Sequence, residues 1–240
     1  MKIQRYKHEL GVSYALGATL IYELLRCAPE LAERVYISSS LKESEGMEKL
    51  IGDCKSLGIP VETNDKAFNI LSPKGNCFAI AEFRKRPGKL ENGDHIVLAN
   101  PSDAGNMGTI LRTATGFGFG DIAVIKPAVD CFDPRTVRAS MGAIFHARVE
   151  YFDSIEDYIA RFPDNRRLAF MLTAKSSLPD ADKSGPFSLI FGNEATGLPA
   201  HYADICEGVI IKHSDGIDSL NLPTAAGIAM YEFTKDRWNR

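Results

Sequence analysis

A chain of 240 residues, 45% apolar and 25% charged with a formal net charge of −3, has an ordinary globular composition and is long enough for one large or two modest cores. No apolar run approaches the roughly 20 residues of a membrane-spanning helix, and the opening "MKIQRYKHELGV" lacks a signal-peptide core. The five cysteines (Cys27, Cys54, Cys77, Cys131, Cys206) are odd in number and form no C-x-x-C pair, which argues for a reducing cytoplasm and against both a disulfide frame and a structural zinc site.

In chain order, Leu20, Ile21, Leu24, Leu25 and Ala28 recur at helical spacing, and "RVYIS" follows as a strand. Met47, Leu50, Ile51 and Cys54 mark a second helix that ends at Gly58 and Pro60. "PVE" and "NCFAIAEF" read as strands flanking a short helix, "DKAFNIL". The next segment, "RKRPGKLENGD", has few apolar side chains and contains both Pro and Gly, so it reads as a linker. Its basic run, Arg84 to Lys89, is the densest in a first third where 14 Lys+Arg face 11 Asp+Glu; residues 91–240 carry 14 against 20. Polyanion contact is therefore expected through the first third, although a solvated linker explains the run equally well.

Beyond the linker, "HIVLA", "DIAVI", "RLAFML", "SLIF" and "GVIIK" are short apolar runs of the kind that suits parallel strands buried on both faces. Helical segments lie between them. "DPRTVRASMGAIFH" has Asp133 as N-cap and Pro134 at the first helical position, and "SIEDYIARF" is shorter. A terminal helix from Pro223 places Ala226, Ala229, Met230 and Phe233 on one stripe. The expected fold class is α/β with two domains, residues 1–88 and 89–240.

The stretch "NPSDAGNMGTILRTATGFGFG" after "HIVLA" has the setting of a dinucleotide loop but not its glycine spacing. No G-x-G-x-x-G falls at the strand end, no acidic residue closes "DIAVIKPA", and no P-loop pattern occurs, so a nicotinamide dehydrogenase is disfavoured. Met107, Ile110, Leu111 and Ala114 form the apolar stripe of the following helix. By themselves Arg112 reads as a surface charge and Asn106 as an N-cap. Two later loops also follow apolar strands, "GNEATGLP" and "HSDGIDSLNLPTAAGI". Three such loops on one sheet point to a ligand site.

Together "NPSDAGNMGTILRTA", "LIFGNEATGLP" and "IKHSDGIDSLNLPTAAGIAMYEF" resemble the three signature motifs of the SpoU/TrmH-type RNA ribose 2'-O-methyltransferases, in the SPOUT superfamily. "VRASMGAIFH" also matches, and the resemblance covers about residues 90–240. The first 85 or so residues resemble the small αβ RNA-binding domain that often precedes this catalytic domain. The resemblance implies S-adenosylmethionine as methyl donor, an rRNA or tRNA ribose as acceptor, and a homodimer with each active site at the subunit interface. It also implies a deep C-terminal trefoil knot, which runs against the general expectation for chains. Carried over residue by residue, it implies catalytic roles for Asn106, Arg112, Glu194, Ser219 and Asn221, with Gly192, Ile211 and Leu220 at the cofactor. Two departures stand out: Lys212-His213 replaces the usual Pro-Met, and Leu222-Pro223 replaces a small-residue run. His213 is expected to line the pocket or lie at the surface. Methyl transfer from a sulfonium needs no metal, because the leaving group is a neutral thioether. The alternative is a catalytically silent RNA-binding protein of the same fold.

Overall fold

The structure is a computed structural model that describes residues 3–40, 45–72 and 77–237. In chain order the elements are β1 (Val12–Leu16), α1 (Ala18–Cys27), β2 (Ala32–Ile37), α2 (Glu45–Ser56), β3 (Val61–Thr63), α3 (Asp65–Leu71), β4 (Ala79–Arg84), β5 (His95–Ala99) and α4 (Ala104–Gly116). There follow β6 (Asp121–Ile125), α5 (Pro134–Ala139), β7 (Arg148–Phe152), α6 (Ile155–Arg161), β8 (Arg166–Phe170), β9 (Ser176–Ser177), β10 (Phe187–Phe191), α7 (Tyr202–Ile205), β11 (Glu207–Ile210) and α8 (Leu222–Thr234). Asn76, at the start of the expected strand "NCFAIAEF", lies outside the described residues. No helix among the described residues is long and apolar enough to cross a membrane.

The chain forms two compact units, Met1–Arg86 with Asp130–His146, and Pro87–Val129 with Ala147–Arg240. They alternate along the sequence, whereas the sequence reading has a single cut near residue 90. Asp130 marks where the chain re-enters the first unit. Its carboxylate is contacted by Tyr6 Oη, by His8 Nδ1 (2.8 Å) and by Lys85 Nζ (3.4 Å). Burial alone would raise the Asp130 pKa, but these partners and the Phe132 amide outweigh it and hold the carboxyl below its ordinary value. From there α5 packs on β1, the first strand of a sheet ordered β1-β4-β2-β3. The helix expected to run to His146 stops after Ala139, because Met141 (φ 51) and Gly142 (φ 91) turn the chain left-handed. Gly142 is held to glycine twice over: a Cβ there would also lie 2.6 Å from Glu23 Cβ on α1.

In the second unit seven strands, all parallel, lie in the order β7-β6-β5-β10-β8-β11-β9. The expected α/β fold with a parallel sheet is what forms, and β5, β6 and β10 are buried at every position, as their continuous apolar runs require. Three strands escape the apolar-run reading, among them the two-residue β9 (Ser176–Ser177). β1 precedes the first helix in the other unit, and β7, at the sheet edge, reads Arg-Val-Glu-Tyr-Phe with only Val149 and Phe152 buried. β10 comes late in the chain yet lies between β5 and β8, which puts its carboxyl end beside that of β5.

A buried polar chain pins that slot at its amino end, where Ser188 pairs in register with His95. The Glu91 carbonyl can only accept, so His95 donates from Nε2 (2.7 Å), and Nδ1 accepts from the Tyr158 hydroxyl (2.7 Å). Ser188 then donates to Tyr158 Oη (2.6 Å) and accepts from Asn165 Nδ2 (3.1 Å). Every member is satisfied with His95 neutral, and burial pushes its pKa down. Because the folded-state pKa lies below the unfolded value of about 6.5, this contribution is complete above that value and is lost as pH falls through it. Thermal unfolding from about pH 8 to about pH 5 is expected to show a loss of stability that is shallower in His95→Gln; equal slopes would refute the neutral-imidazole account.

Candidate active site

The site is built from loops at the carboxyl ends of β5, β8, β10 and β11. After β5, Asn100 adopts a left-handed backbone (φ 56), which asparagine tolerates, and its carbonyl accepts from Asn193 Nδ2 at 2.8 Å. Asp103 then caps α4, accepting from the Asn106 amide at 2.7 Å. Asn106 is thus inside the first turn of the helix and is not its N-cap. Gly105 and Gly108 also lie within the helix.

Glu194, from the loop after β10, holds this turn from the other side. Oε2 accepts from Ser102 Oγ (2.9 Å) and the Ser102 amide (3.2 Å), and Oε1 from the Asp103 amide and Asn106 Nδ2 (both 3.2 Å). Burial of the carboxyl would raise its pKa, but hydrogen bonds from main-chain amides, Asn106 and Ser102 outweigh it and keep the group below the ordinary carboxylate value. A carboxylate is also favoured at the positive end of a helix. Glu194 thus takes the Ser102 and Asp103 amides and Asp103 takes the Asn106 amide, donors that a dinucleotide phosphate at this helix start would otherwise use, which weighs against the nicotinamide reading.

The loop after β10 closes on itself. Asn193 and Gly197 exchange main-chain hydrogen bonds of 3.2 and 2.9 Å, and Asn193 Oδ1 accepts from the Ala195 and Thr196 amides. A Cβ on Gly192 would lie 2.2 Å from the Gly197 carbonyl carbon, so no larger residue fits. Between this loop and those after β8 and β11 lies a cavity of about 370 Å³. Gly192, Glu194, Ile211, Ser219 and Leu220 line it, as does His213. Phe170 and Phe191, stacked with ring centroids 4.6 Å apart, also line it.

Three expected residues stand outside the lining. Asn106 reaches it only through Glu194. Asn221 is exposed at the start of α8, where its carbonyl accepts from the Ala225 amide at 2.9 Å and its side chain caps nothing. Arg112 is exposed on α4 and has no hydrogen-bond or ion-pair partner among the described residues. The sequence reading missed Ser102 and Asn193, which fix Glu194 and Asn100, and the cavity-lining segment Met171–Thr173 after β8. The rule that places sites after parallel strands covers that segment too, but its residues carry no glycine or charge to mark it.

Residues 94–231 match the model of the SpoU rRNA Methylase family. The chain belongs to that family. A crystal structure of an AdoMet-bound rRNA methyltransferase from Sinorhizobium meliloti superposes with a TM-score of 0.80 at 25% identity, covering 94% of this chain and 88% of that one. A 23S rRNA (uridine(2479)-2'-O)-methyltransferase of Streptomyces viridochromogenes is 29% identical over 150 residues, 59% of this chain and 52% of that protein. A 23S rRNA (guanosine(2553)-2'-O)-methyltransferase of Bacillus subtilis is 26% identical over 220 residues, 90% of this chain and 85% of that protein. The chain spans about half the length of the first curated relatives it matches.

Within this family member the Glu194 junction has a direct test. A carboxyl with a lowered pKa contributes above the unfolded value and ceases to as pH falls through the folded one. Hydrogen exchange over residues 100–108 is expected to speed up at least tenfold in Glu194→Ala, and in the wild type on acidification. Unchanged protection in the variant would show that the loops hold together without the carboxylate.

Proposed function

We propose that this chain transfers a methyl group from S-adenosylmethionine to a ribose 2'-hydroxyl of structured RNA, either rRNA or tRNA. The observation that carries the reading is the Glu194 carboxylate, which gathers the loops after β5 and β10 beside the cavity. The residues present fit the methyl donor. A volume of about 370 Å³ is in the range of small-molecule sites, with aromatic and aliphatic walls for a purine and main-chain polar groups at Gly192, Ile211 and Leu220. Those three residues are assigned to the cofactor. When bound, S-adenosylmethionine supplies an electrophilic methyl group and leaves as a neutral thioether.

The protein's part is alignment and charge. Arg112 is assigned to clamp the phosphate beside the target ribose through two parallel N–H bonds. A protonated guanidinium has no lone pair with which to accept a proton, so the phosphate or a water takes the hydroxyl proton. Asn106, Glu194, Ser219 and Asn221 orient the ribose and the arginine by hydrogen bonding. Because Arg112 does not line its own chain's cavity, it is assigned to the partner's site in a homodimer. The exposed Ile228 and Tyr231 on α8 support such an interface.

Residues 1–88 are assigned to RNA binding and 89–240 to the methyltransferase domain. The basic excess of the first third supports the former, although Arg84 and Arg86 make exposed ion pairs with Glu33 and Glu30 that RNA phosphates would have to displace. The trefoil knot and a cytoplasmic location belong to the same proposal; entry of β10 between β5 and β8, ahead of α8, supports the knot.

Mapping 2'-O-methyl marks in RNA from a deletion strain, with calorimetric titration of S-adenosylmethionine, tests the activity. One lost mark and one bound cofactor per chain are expected; retention of every mark with no cofactor bound leaves the silent RNA-binding protein. Arg112→Lys should lower turnover at least tenfold with cofactor affinity intact. Mixing Arg112→Ala with Gly192→Ala, each inactive alone, should restore activity in hybrid dimers, and no recovery on mixing would rule out the shared site.

A further inference from the structure

Glu23, Cys27 and His146 stand together in the first unit and take no part in the site above. Glu23 and Cys27 are four residues apart on α1, so their side chains share one face. His146 ends the returning segment 130–146. Cys27 Sγ is 3.1 Å from His146 Nε2, His146 Nε2 is 3.3 Å from Glu23 Oε2, and Sγ is 3.8 Å from that carboxylate oxygen. The metal–ligand lengths of tetrahedral zinc with sulfur, imidazole and carboxylate donors imply ligand–ligand edges of about 3.4–3.6 Å. The three observed edges bracket those values, so one ion fits all three atoms with only small side-chain adjustments.

We infer that Glu23, Cys27 and His146 form a binding site for a divalent transition metal, zinc by preference, that ties α1 to the segment 130–146. The mixed sulfur, nitrogen and oxygen donor set selects zinc over magnesium or calcium, which take oxygen ligands. Three protein ligands leave a fourth position for water or another donor. The site is pre-shaped: the Gly142 backbone lies so close to Glu23 Cβ that it limits where the carboxylate can go. The three ligands remain partly accessible, with 33% of the His146 side chain and 29% of the Glu23 side chain exposed, which leaves an entry path.

One group competes. Arg26 Nη2 lies 2.6 Å from Glu23 Oε2 and 3.4 Å from His146 Nε2, supplying the positive charge that an ion would bring. Its side chain is 64% exposed and can swing into water when a metal enters. Removing it should therefore tighten metal binding, whereas a triad serving only as a hydrogen-bonded packing contact predicts no metal dependence at all.

The full-length chain, stripped with a chelator and titrated with Co²⁺, tests this. The expected result is one Co²⁺ per chain, with a thiolate-to-cobalt charge-transfer band and the intense visible bands of tetrahedral cobalt, both displaced by Zn²⁺. Arg26→Ala should bind several-fold more tightly. Cys27→Ser and His146→Gln should each abolish the charge-transfer band, and Zn²⁺ should raise the unfolding temperature of the wild type but not of His146→Gln. That second variant alters an exposed position and keeps the thiol, so it reports even where Cys27→Ser folds poorly. No charge-transfer band in the wild type, or a band that survives either substitution, overturns the assignment.

Discussion

The slot between β5 and β8 is the constraint on which the second unit depends. A strand arriving there late in the chain must find two parallel partners already spaced for it, and β10 brings an entirely buried side-chain row to fill the gap. Apolar burial drives the insertion but does not select its register, because a two-residue slip would keep the same faces buried. The hydrogen-bonded chain from Asn165 through Ser188 and Tyr158 to His95 supplies that selection, since any other pairing strands buried polar atoms. At the other end of the same strand, Gly192 and Glu194 emerge where the loop after β5 turns into α4.

From that adjacency follows the electrostatic character of the site. The amino end of a helix after a parallel strand is ordinarily a place for a phosphate, with unpaired amides and a positive dipole. Here the protein answers those amides with its own carboxylates, Asp103 from the near side and Glu194 from the far one. The cavity beside them has a stacked aromatic pair, Phe170 and Phe191, in its lining together with the Glu194 carboxylate. Arg112, two turns further along α4, is exposed and outside the lining of this cavity.

The first unit is organised by a different device. Its sheet is closed by a segment that returns from the middle of the chain, and Asp130 fixes the point of return by drawing Tyr6, His8 and Lys85 onto one carboxylate. The far end of that segment carries His146 to α1, where Glu23 and Cys27 meet it. The two pieces of the unit are thus fastened at both ends by polar groups, with Phe83 and Phe145 in edge contact between them.

Local sequence determined the elements whose environment is uniform. Continuous apolar runs gave β5 and β6 their bounds, and a helical stripe marked the buried face of α8 at Ala226, Ala229, Met230 and Phe233. It failed where environment varies along an element: edge strand β7 mixes charged and buried residues, and the helix after Asp133 ends at the left-handed turn of Met141 and Gly142. The three motif loops were legible as loops after strands, and the roles of Asn106 and Arg112 came from resemblance. Which loops meet was decided only by the tertiary structure, since a carboxylate 88 positions from Asn106 becomes its neighbour through the order of strands in the sheet. The same limit hid Glu23, Cys27 and His146. Ligand spacing in sequence reports a site only when one local element carries it, and here 119 residues separate the thiol from the imidazole.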